Sequence, residues 1–155
     1  TDEKLLKQIL PAFDQKTPDF YRWRVRYERK ELEGILLKKS GIDFGHLLNI
    51  EPLERGPSGR ISRLKIQGSK KTVMVGKELE IRRWLSTSHL LSSAFVVEAE
   101  RNTDGEINRF ILTGGGWGHG VGLCQIGAAV MASKGFKAED ILAHYFIGAK
   151  VQKLY

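Results

Sequence analysis

The segment Gly114–Gly122 has the composition of a loop that lies close to a ligand. It reads GGGWGHGVG, and six of its nine residues are glycine. Glycine loses more conformational freedom on folding than any other residue, so this density indicates a backbone that turns sharply or closely approaches another molecule. His119 lies between two glycines. Its imidazole is either an accessible functional group or a structural one that fixes the loop by bonding a carbonyl.

Phosphate is the first partner to consider for a glycine-rich loop. The G-x-G-x-x-G register fails at every glycine of this segment, and no Lys-Ser or Lys-Thr pair follows to make a P-loop. Nucleotide binding is therefore not predicted. The segment runs into a helical pattern, so the N–H groups of residues 120–123 are expected to bind an oxyanion or a polar sugar substituent.

The single cysteine, Cys124, falls in the first turn of the helix predicted after the glycines. A helix dipole lowers the pKa of a thiol there, and His119 and His144 are candidate bases, so a Cys/His peptidase is one hypothesis. A lone cysteine on a hydrophobic helix is more often an inert core residue. Without a second cysteine, an internal disulfide and a cysteine-rich zinc site are excluded.

Strands are predicted from alternation and turn chemistry. The sequence FYRWRVRYE alternates strictly, which predicts a strand with Tyr21, Trp23, Val25 and Tyr27 on one buried face. Further strands are predicted around a turn at Pro57, Ser58 and Gly59, over Thr72 to Val75, in a hairpin around Asp104-Gly105, and in the closing KVQKLY.

Four helices are predicted from 3.6-residue periodicity, in KELEGILLKKSG, KELEIRRWL, VGLCQIGAAVMASKG and AEDILAHYF. Strands and helices mixed without βαβ regularity predict an α+β fold. We expect a single domain of largely antiparallel strands with a few short helices, in which the glycine-rich loop leads into a buried C-terminal helix.

The composition bounds the class of protein. At 155 residues and 41% hydrophobic, the chain can bury one core, and no apolar run approaches the roughly 18 residues that would cross a bilayer. The formal charge of +7 favours anionic partners, although the Lys and Arg residues are spread along the chain, as on a solvated basic surface. The chain begins at Thr1, so we expect any targeting signal to lie outside it.

The sequence WGHGVGLCQIGAAVMASKG, with the following ILAHYF, is similar to the C-terminal signature of the SpoIID/LytB family of sporulation stage II protein D and amidase enhancers. Members of that family typically read GHGVGMSQxGAxxMAxxG and then ILxHYY. RGPSGRISRLKIQG, the Ile81-Arg82 step and the stretch Ser92 to Phe95 also resemble family features. The resemblance extends from about Phe20 to Tyr155.

The resemblance implies binding of peptidoglycan glycan strands and, in the sporulation proteins, lytic transglycosylase activity. There a glutamic acid protonates the glycosidic oxygen and then takes the proton of the muramyl 6-hydroxyl, which closes a 1,6-anhydro ring. That residue belongs to an N-terminal ExxxGVVxxEM-type motif, which this chain lacks. Glu78, Glu80, Glu98 and Glu100 are interpreted as parts of charged helix or strand faces, and the catalytic acid is not assigned.

Residues 1–155 are therefore predicted to be the C-terminal part of a SpoIID/LytB-type domain. We expect this segment alone to bind glycan without turnover. Two alternatives stay open, namely a non-catalytic wall-binding or amidase-enhancing module and a Cys/His peptidase that uses Cys124 and His119.

Carried over position by position, the resemblance places substrate-binding residues at His119, Cys124, Gln125, Tyr145, Ser58 and Arg60. Gln125 would bond sugar hydroxyl or acetamido groups or else hold a loop, and Tyr145 would stack on a pyranose or else fill the core. Arg60 would engage a lactyl carboxylate or else close a surface ion pair. Cys124 stands where the family has serine and Ile126 where it has an aromatic residue, and a thiol donates hydrogen bonds only weakly.

The resemblance also implies location and partners. It predicts an extracytoplasmic protein of the cell envelope whose partners are glycan strands and a cell-wall amidase. Nucleic acid, a metal ion and a cofactor are not predicted.

Overall fold

The computed structural model describes residues 21–152. Contacts divide the chain into two compact units, whose described parts are residues 21–119, here called the sheet unit, and residues 120–152, here called the helical unit. The sheet unit contains two three-stranded antiparallel sheets and two helices, and the helical unit contains two helices. The predicted α+β class is confirmed, whereas the assignment of residues 1–155 as one domain stays a prediction.

The strands are β1 (Arg22–Glu28), β2 (Leu47–Arg55), β3 (Ile61–Gly68), β4 (Thr72–Gly76), β5 (Phe95–Arg101) and β6 (Ile107–Gly115). The helices are α1 (Arg29–Ser40), α2 (Glu78–Trp84), α3 (Gln125–Ser133) and α4 (Ala138–Tyr145). The first sheet has the strand order β1-β6-β5 and the second the order β2-β3-β4. Within residues 21–152, no helix is long and apolar enough to span a membrane.

Strand β6 lies at the centre of the first sheet, and Phe110, Ile111 and Leu112 within it are fully buried. The predicted hairpin to β5 is confirmed. Its turn has Gly105 at φ 81°, a conformation that glycine adopts without steric cost. The side-chain oxygen of Asn102 accepts hydrogen bonds from the N–H groups of the second and fourth residues after it, which fixes the turn.

The core of the sheet unit joins both sheets to α1 and α2. Helix α1 contributes Leu32 and Leu36, and its predicted end at Gly41 is confirmed, because this residue is left-handed (φ 72°) and its N–H bonds the carbonyl of Leu37. The other core residues include Tyr27, Phe44, Leu47, Ile50, Ile61, Leu64, Ile66, Val75, Ile81, Leu85, Leu90, Phe95, Ile107, Phe110 and Leu112.

The second sheet is tied to the first through the loop that precedes β5. The N–H of Ile61 donates to the carbonyl of Ser93 at 3.0 Å, and the Ser93 hydroxyl donates back to the Ile61 carbonyl at 3.2 Å. Arg55 donates to the carbonyl of Phe95 at 2.7 Å. These bonds place the turn between β2 and β3, which contains Gly59 at φ 74°, beside the start of β5.

Three predictions differ in detail from the structure. Tyr21 was expected on the buried face of the first strand, but β1 begins at Arg22 and the Tyr21 ring is exposed beneath the Arg22 guanidinium, 3.9 Å away. Helix α3 is present, yet Ala129 is its one buried residue, so the burial predicted for it is partial. The described part of the predicted closing strand, residues 150–152, has no regular secondary structure, and the remainder lies outside the described residues.

Lys77 offers a test of backbone strain. It precedes α2 with φ 65° and ψ 125°, a region that costs a residue with a side chain about 1–3 kcal/mol. Glycine relieves this strain and loses about 0.5–1 kcal/mol through the greater freedom of the unfolded chain. We expect Lys77→Gly to raise the free energy of unfolding by about 1 kcal/mol in urea titrations. Lys71→Gly is the control and should lower it, so equal losses from both substitutions would refute the strain.

Candidate functional site

The glycine-rich segment (Gly114–Gly122) leaves the first sheet at the end of β6. In the register of that sheet, Trp23 of β1 and Phe95 of β5 both face Gly114. A β-carbon at position 114 would overlap the indole of Trp23, so the ring occupies the space that a side chain would take. Trp23 also donates from its indole nitrogen to the carbonyl of Gly116 at 3.3 Å. Glycine is thus required at position 114 by a close approach within the protein.

The backbone beyond β6 is held on two sides. The N–H of Gly115 donates to the carbonyl of Ala94 at 2.9 Å, and the buried Ser92 hydroxyl donates to the carbonyl of Gly115 at 2.7 Å. On the other side, the N–H of Gly116 donates to the carbonyl of Tyr21 at 3.1 Å. The chain therefore leaves the sheet along a fixed path.

Arg60 meets this path from the turn between β2 and β3. Its Nε donates to the carbonyl of Gly118 at 2.9 Å, while the N–H of Gly118 donates to the carbonyl of Leu91 at 2.8 Å. The structure thus brings Arg60 to the glycine-rich segment, where it bonds a main-chain carbonyl. Ser58 is exposed in the same turn.

Two side chains are presented on this part of the segment. Trp117 and His119 are exposed, and Trp117 retains 52% of its accessible surface. Gly116 and Gly118 have φ of 74° and 85°, so glycine is favoured on both sides of Trp117. Trp117 was not among the site residues predicted from the sequence. The available signal was a large aromatic residue placed between two glycines in a predicted loop.

In the helical unit, Cys124 is the N-cap residue of α3. Its sulfur accepts a hydrogen bond from the N–H of Gly127 at 3.4 Å, and the residue is exposed. An N-cap side chain satisfies one of the N–H groups that have no partner within the helix. The serine that the family resemblance implies at this position would do the same with a stronger acceptor.

Tyr145 packs on the same turn of α3. A β-carbon at Gly127 would overlap the Tyr145 hydroxyl, so a side chain at position 127 would force the Tyr145 ring to shift. The pKa of Tyr145 is raised above its ordinary value, first by partial burial and then by the charge of Cys124 and a hydrogen bond with it. Cys124, Gly127 and Tyr145 therefore form one contact between α3 and α4.

The remaining predicted residues of the helical unit are exposed. Gln125 is the first residue of α3, and its side chain lies on the surface. His144 contacts the ring of Tyr145 edge-on, with centroids 4.8 Å apart. The Cys124 side chain is hydrogen-bonded with the N–H of Gly127 and with Tyr145. This arrangement is that of a helix cap.

The carboxylates interpreted as charged faces are ion-paired. Glu78 meets Arg82 at 3.3 Å, Glu80 meets Arg83 at 2.6 Å, Glu98 meets Arg24 at 3.8 Å and Glu100 meets Arg109 at 2.8 Å. The hydrogen bond from Arg83 lowers the pKa of Glu80, whereas a general acid that works near neutrality needs a raised pKa. Three of these pairs are exposed, and the Glu78 pair with Arg82 is partly buried, so all four glutamates have the environments of structural ion pairs.

Among the described residues, no group of three His, Cys, Asp or Glu side chains lies close enough together to hold a metal ion.

The chain is similar to known proteins over most of its length. Residues 1–122 match the model of a family described as a domain of unknown function (DUF8618). Over 149 residues, 96% of the chain, the sequence is 30% identical to stage II sporulation protein D of Bacillus amyloliquefaciens, and the chain spans 38% of the length of that relative. Since at most a few residues are left out of this alignment, the similarity continues past residue 122 into the helical unit.

The cap at Cys124 can be tested by substitution. Serine is a preferred N-cap residue, so we expect Cys124→Ser to raise the free energy of unfolding by about 0.5–1 kcal/mol. Cys124→Ala removes the acceptor and should lower it. Urea unfolding followed by far-ultraviolet circular dichroism measures both. If the serine and alanine variants unfold at the same urea concentration, the side chain does not cap the helix.

The contact of Gly127 with Tyr145 can be tested by a double-mutant cycle. We expect Gly127→Ala to destabilise the wild-type protein by about 1–3 kcal/mol, because the new methyl group overlaps the hydroxyl. In a Tyr145→Phe background the methyl group would lie 3.4 Å from Cζ, an ordinary contact, so the better helix propensity of alanine should make the substitution neutral or stabilising.

The change of sign is the decisive result of this cycle. An equal loss of stability in both backgrounds would show that the hydroxyl does not impose glycine at position 127.

Proposed function

This chain belongs to the family described as a domain of unknown function (DUF8618), and from its site we propose that it binds the glycan strands of bacterial peptidoglycan. Its relative is by name a sporulation protein, and this chain corresponds to 38% of that protein's length. The proposal therefore assigns to the chain one part of a larger wall-acting protein. On this proposal, the protein acts in the cell envelope.

The observation that carries the proposal is the fixed path of residues 114–118. Hydrogen bonds to Tyr21, Ala94 and Leu91 and from Arg60 hold the backbone, so Trp117 is presented without a large ordering cost on binding. A sugar ring has an apolar face and a rim of hydroxyl groups. An exposed indole suits the face, and an imidazole and main-chain polar groups suit the rim.

In the full-length protein, we propose that this surface holds the strand for a lytic transglycosylase reaction. The ion pairs of Glu78, Glu80, Glu98 and Glu100 favour an acid other than these four carboxyl groups. The segment then binds the strand, and the carboxyl group that protonates the glycosidic oxygen comes from elsewhere.

The same pairing of the carboxylates also favours the second candidate, a non-catalytic module that binds the wall and enhances a cell-wall amidase. The two candidates share the glycan site and differ in their products. Anhydro-muramyl ends released by the full-length protein from peptide-free strands indicate the transglycosylase, and binding without products indicates the module. A peptidase is not proposed, because the Cys124 thiol is part of the contact with Gly127 and Tyr145.

Titration of purified chain with peptide-free glycan strands tests the site. We expect Trp117→Ala to weaken binding by about tenfold, equivalent to about 1.4 kcal/mol. Phe136→Ala is the matched control, since Phe136 is a similarly exposed aromatic residue (50% against 52%) in the helical unit. The control should bind as the wild type does. Equal affinities of the Trp117 and Phe136 variants, or no binding by the wild type, would contradict the proposed site.

A further inference from the structure

The outer face of β1 has three arginines at alternate positions, Arg22, Arg24 and Arg26, here called the arginine row. All three are exposed, while Trp23 and Tyr27 on the opposite face are buried. Residues two apart on a strand are separated by about 6.6 Å, so the row extends over about 13 Å in a straight line. Side chains at alternate positions point to one side of the sheet, so the three guanidinium groups share that face.

The charge of this row is only weakly compensated. Arg24 meets Glu98 of β5 at 3.8 Å, with about half of each side chain exposed (49% and 58%), which is a weak surface pair. Arg22 bonds the carbonyl of Tyr21 at 2.9 Å. Among residues 21–152, neither Arg22 nor Arg26 forms an ion pair with a carboxylate. This contrasts with the close pairing of the arginines at positions 63, 82, 83 and 109.

The row is continuous with the glycine-rich segment. Arg22 lies opposite Gly115 in the sheet register, and the carbonyl of Tyr21 accepts the N–H of Gly116. The arginine row therefore begins beside the main chain of Gly115 and Gly116, which directly precedes Trp117. The bonds that fix the segment also fix the start of the row relative to it.

We propose that the arginine row binds the carboxylates of the same glycan strand whose sugar contacts Trp117. This inference rests on the proposed function and adds to it an extended, charge-dependent surface. The lactyl carboxylates of a peptide-free strand recur along the polymer, and guanidinium groups bind carboxylates with paired hydrogen bonds. The net charge of +7 steers such a polymer toward the protein. Amidation of the carboxylates removes the charged groups that the arginine row would bind but leaves the sugar faces unchanged.

The test compares two variants that lose the same charge. Arg22→Gln, Arg24→Gln and Arg26→Gln are combined in one protein, and Lys30→Gln, Lys38→Gln and Lys71→Gln in the control, whose three lysines are exposed elsewhere. The probes are peptide-free glycan strands with free carboxyl groups and the same strands after amidation of those groups. Both are titrated at low and at high salt.

We expect the arginine variant to bind the acidic strands about tenfold more weakly than the control, as three charge-assisted contacts would predict. Both variants should bind the amidated strands equally, and added salt should weaken the binding of acidic strands more for the control than for the arginine variant. The single variant Arg26→Gln serves as a second test, because within residues 21–152 this side chain forms no ion pair, and its loss leaves the Glu98 pair intact. It should show a smaller loss in the same direction.

The outcomes separate the two proposals. Equal binding of acidic strands by the arginine variant and the control would overturn the row and leave the site at Trp117 standing. Failure of the wild type to bind either strand would overturn both. A third outcome is that single-stranded DNA binds more tightly than acidic strands, and that this binding is lost in the arginine variant but unaffected by Trp117→Ala. This outcome would overturn the row as a glycan surface and make it a nucleic-acid surface.

Discussion

The contact between the indole of Trp23 and the bare α-carbon of Gly114 is the constraint on which the candidate site depends. Gly114 lies between two aromatic residues in the sheet register, and the rings of Trp23 and Phe95 are 6.0 Å apart. The missing side chain makes room for the indole, whose nitrogen then bonds the carbonyl of Gly116. The direction in which the chain leaves the sheet follows from this packing, and so does the presentation of Trp117.

Much of the fold was predictable because its signals are local. Strict alternation identified β1, a left-handed glycine ended α1, and Asp104-Gly105 formed the expected hairpin. These features depend on residues within a few positions of one another, where propensity and turn chemistry act directly. Tyr21 lies outside β1 although it was predicted within it, because alternation does not tell where a strand begins.

The site was less predictable because its contacts are distant in sequence. The hydrogen bond from Arg60 to Gly118 joins residues 58 positions apart, and no local pattern predicts it. The packing of Tyr145 on Gly127 likewise depends on how α4 packs against α3, which no local pattern predicts. Sequence reasoning predicted that glycines would permit a close approach. It could not tell that at Gly114 and Gly127 the approaching group belongs to the protein itself.

Strand β1 is also an edge strand, since within residues 21–152 it pairs with β6 alone. An open edge exposes unpaired main-chain groups and is a template for strand exchange between molecules, which leads to aggregation. Two copies that met along this edge would bring like-charged guanidinium groups together in the absence of a polyanion. The charges on β1 would thus keep neighbouring copies apart. Solubility and polymer binding would then depend on the same three arginine side chains.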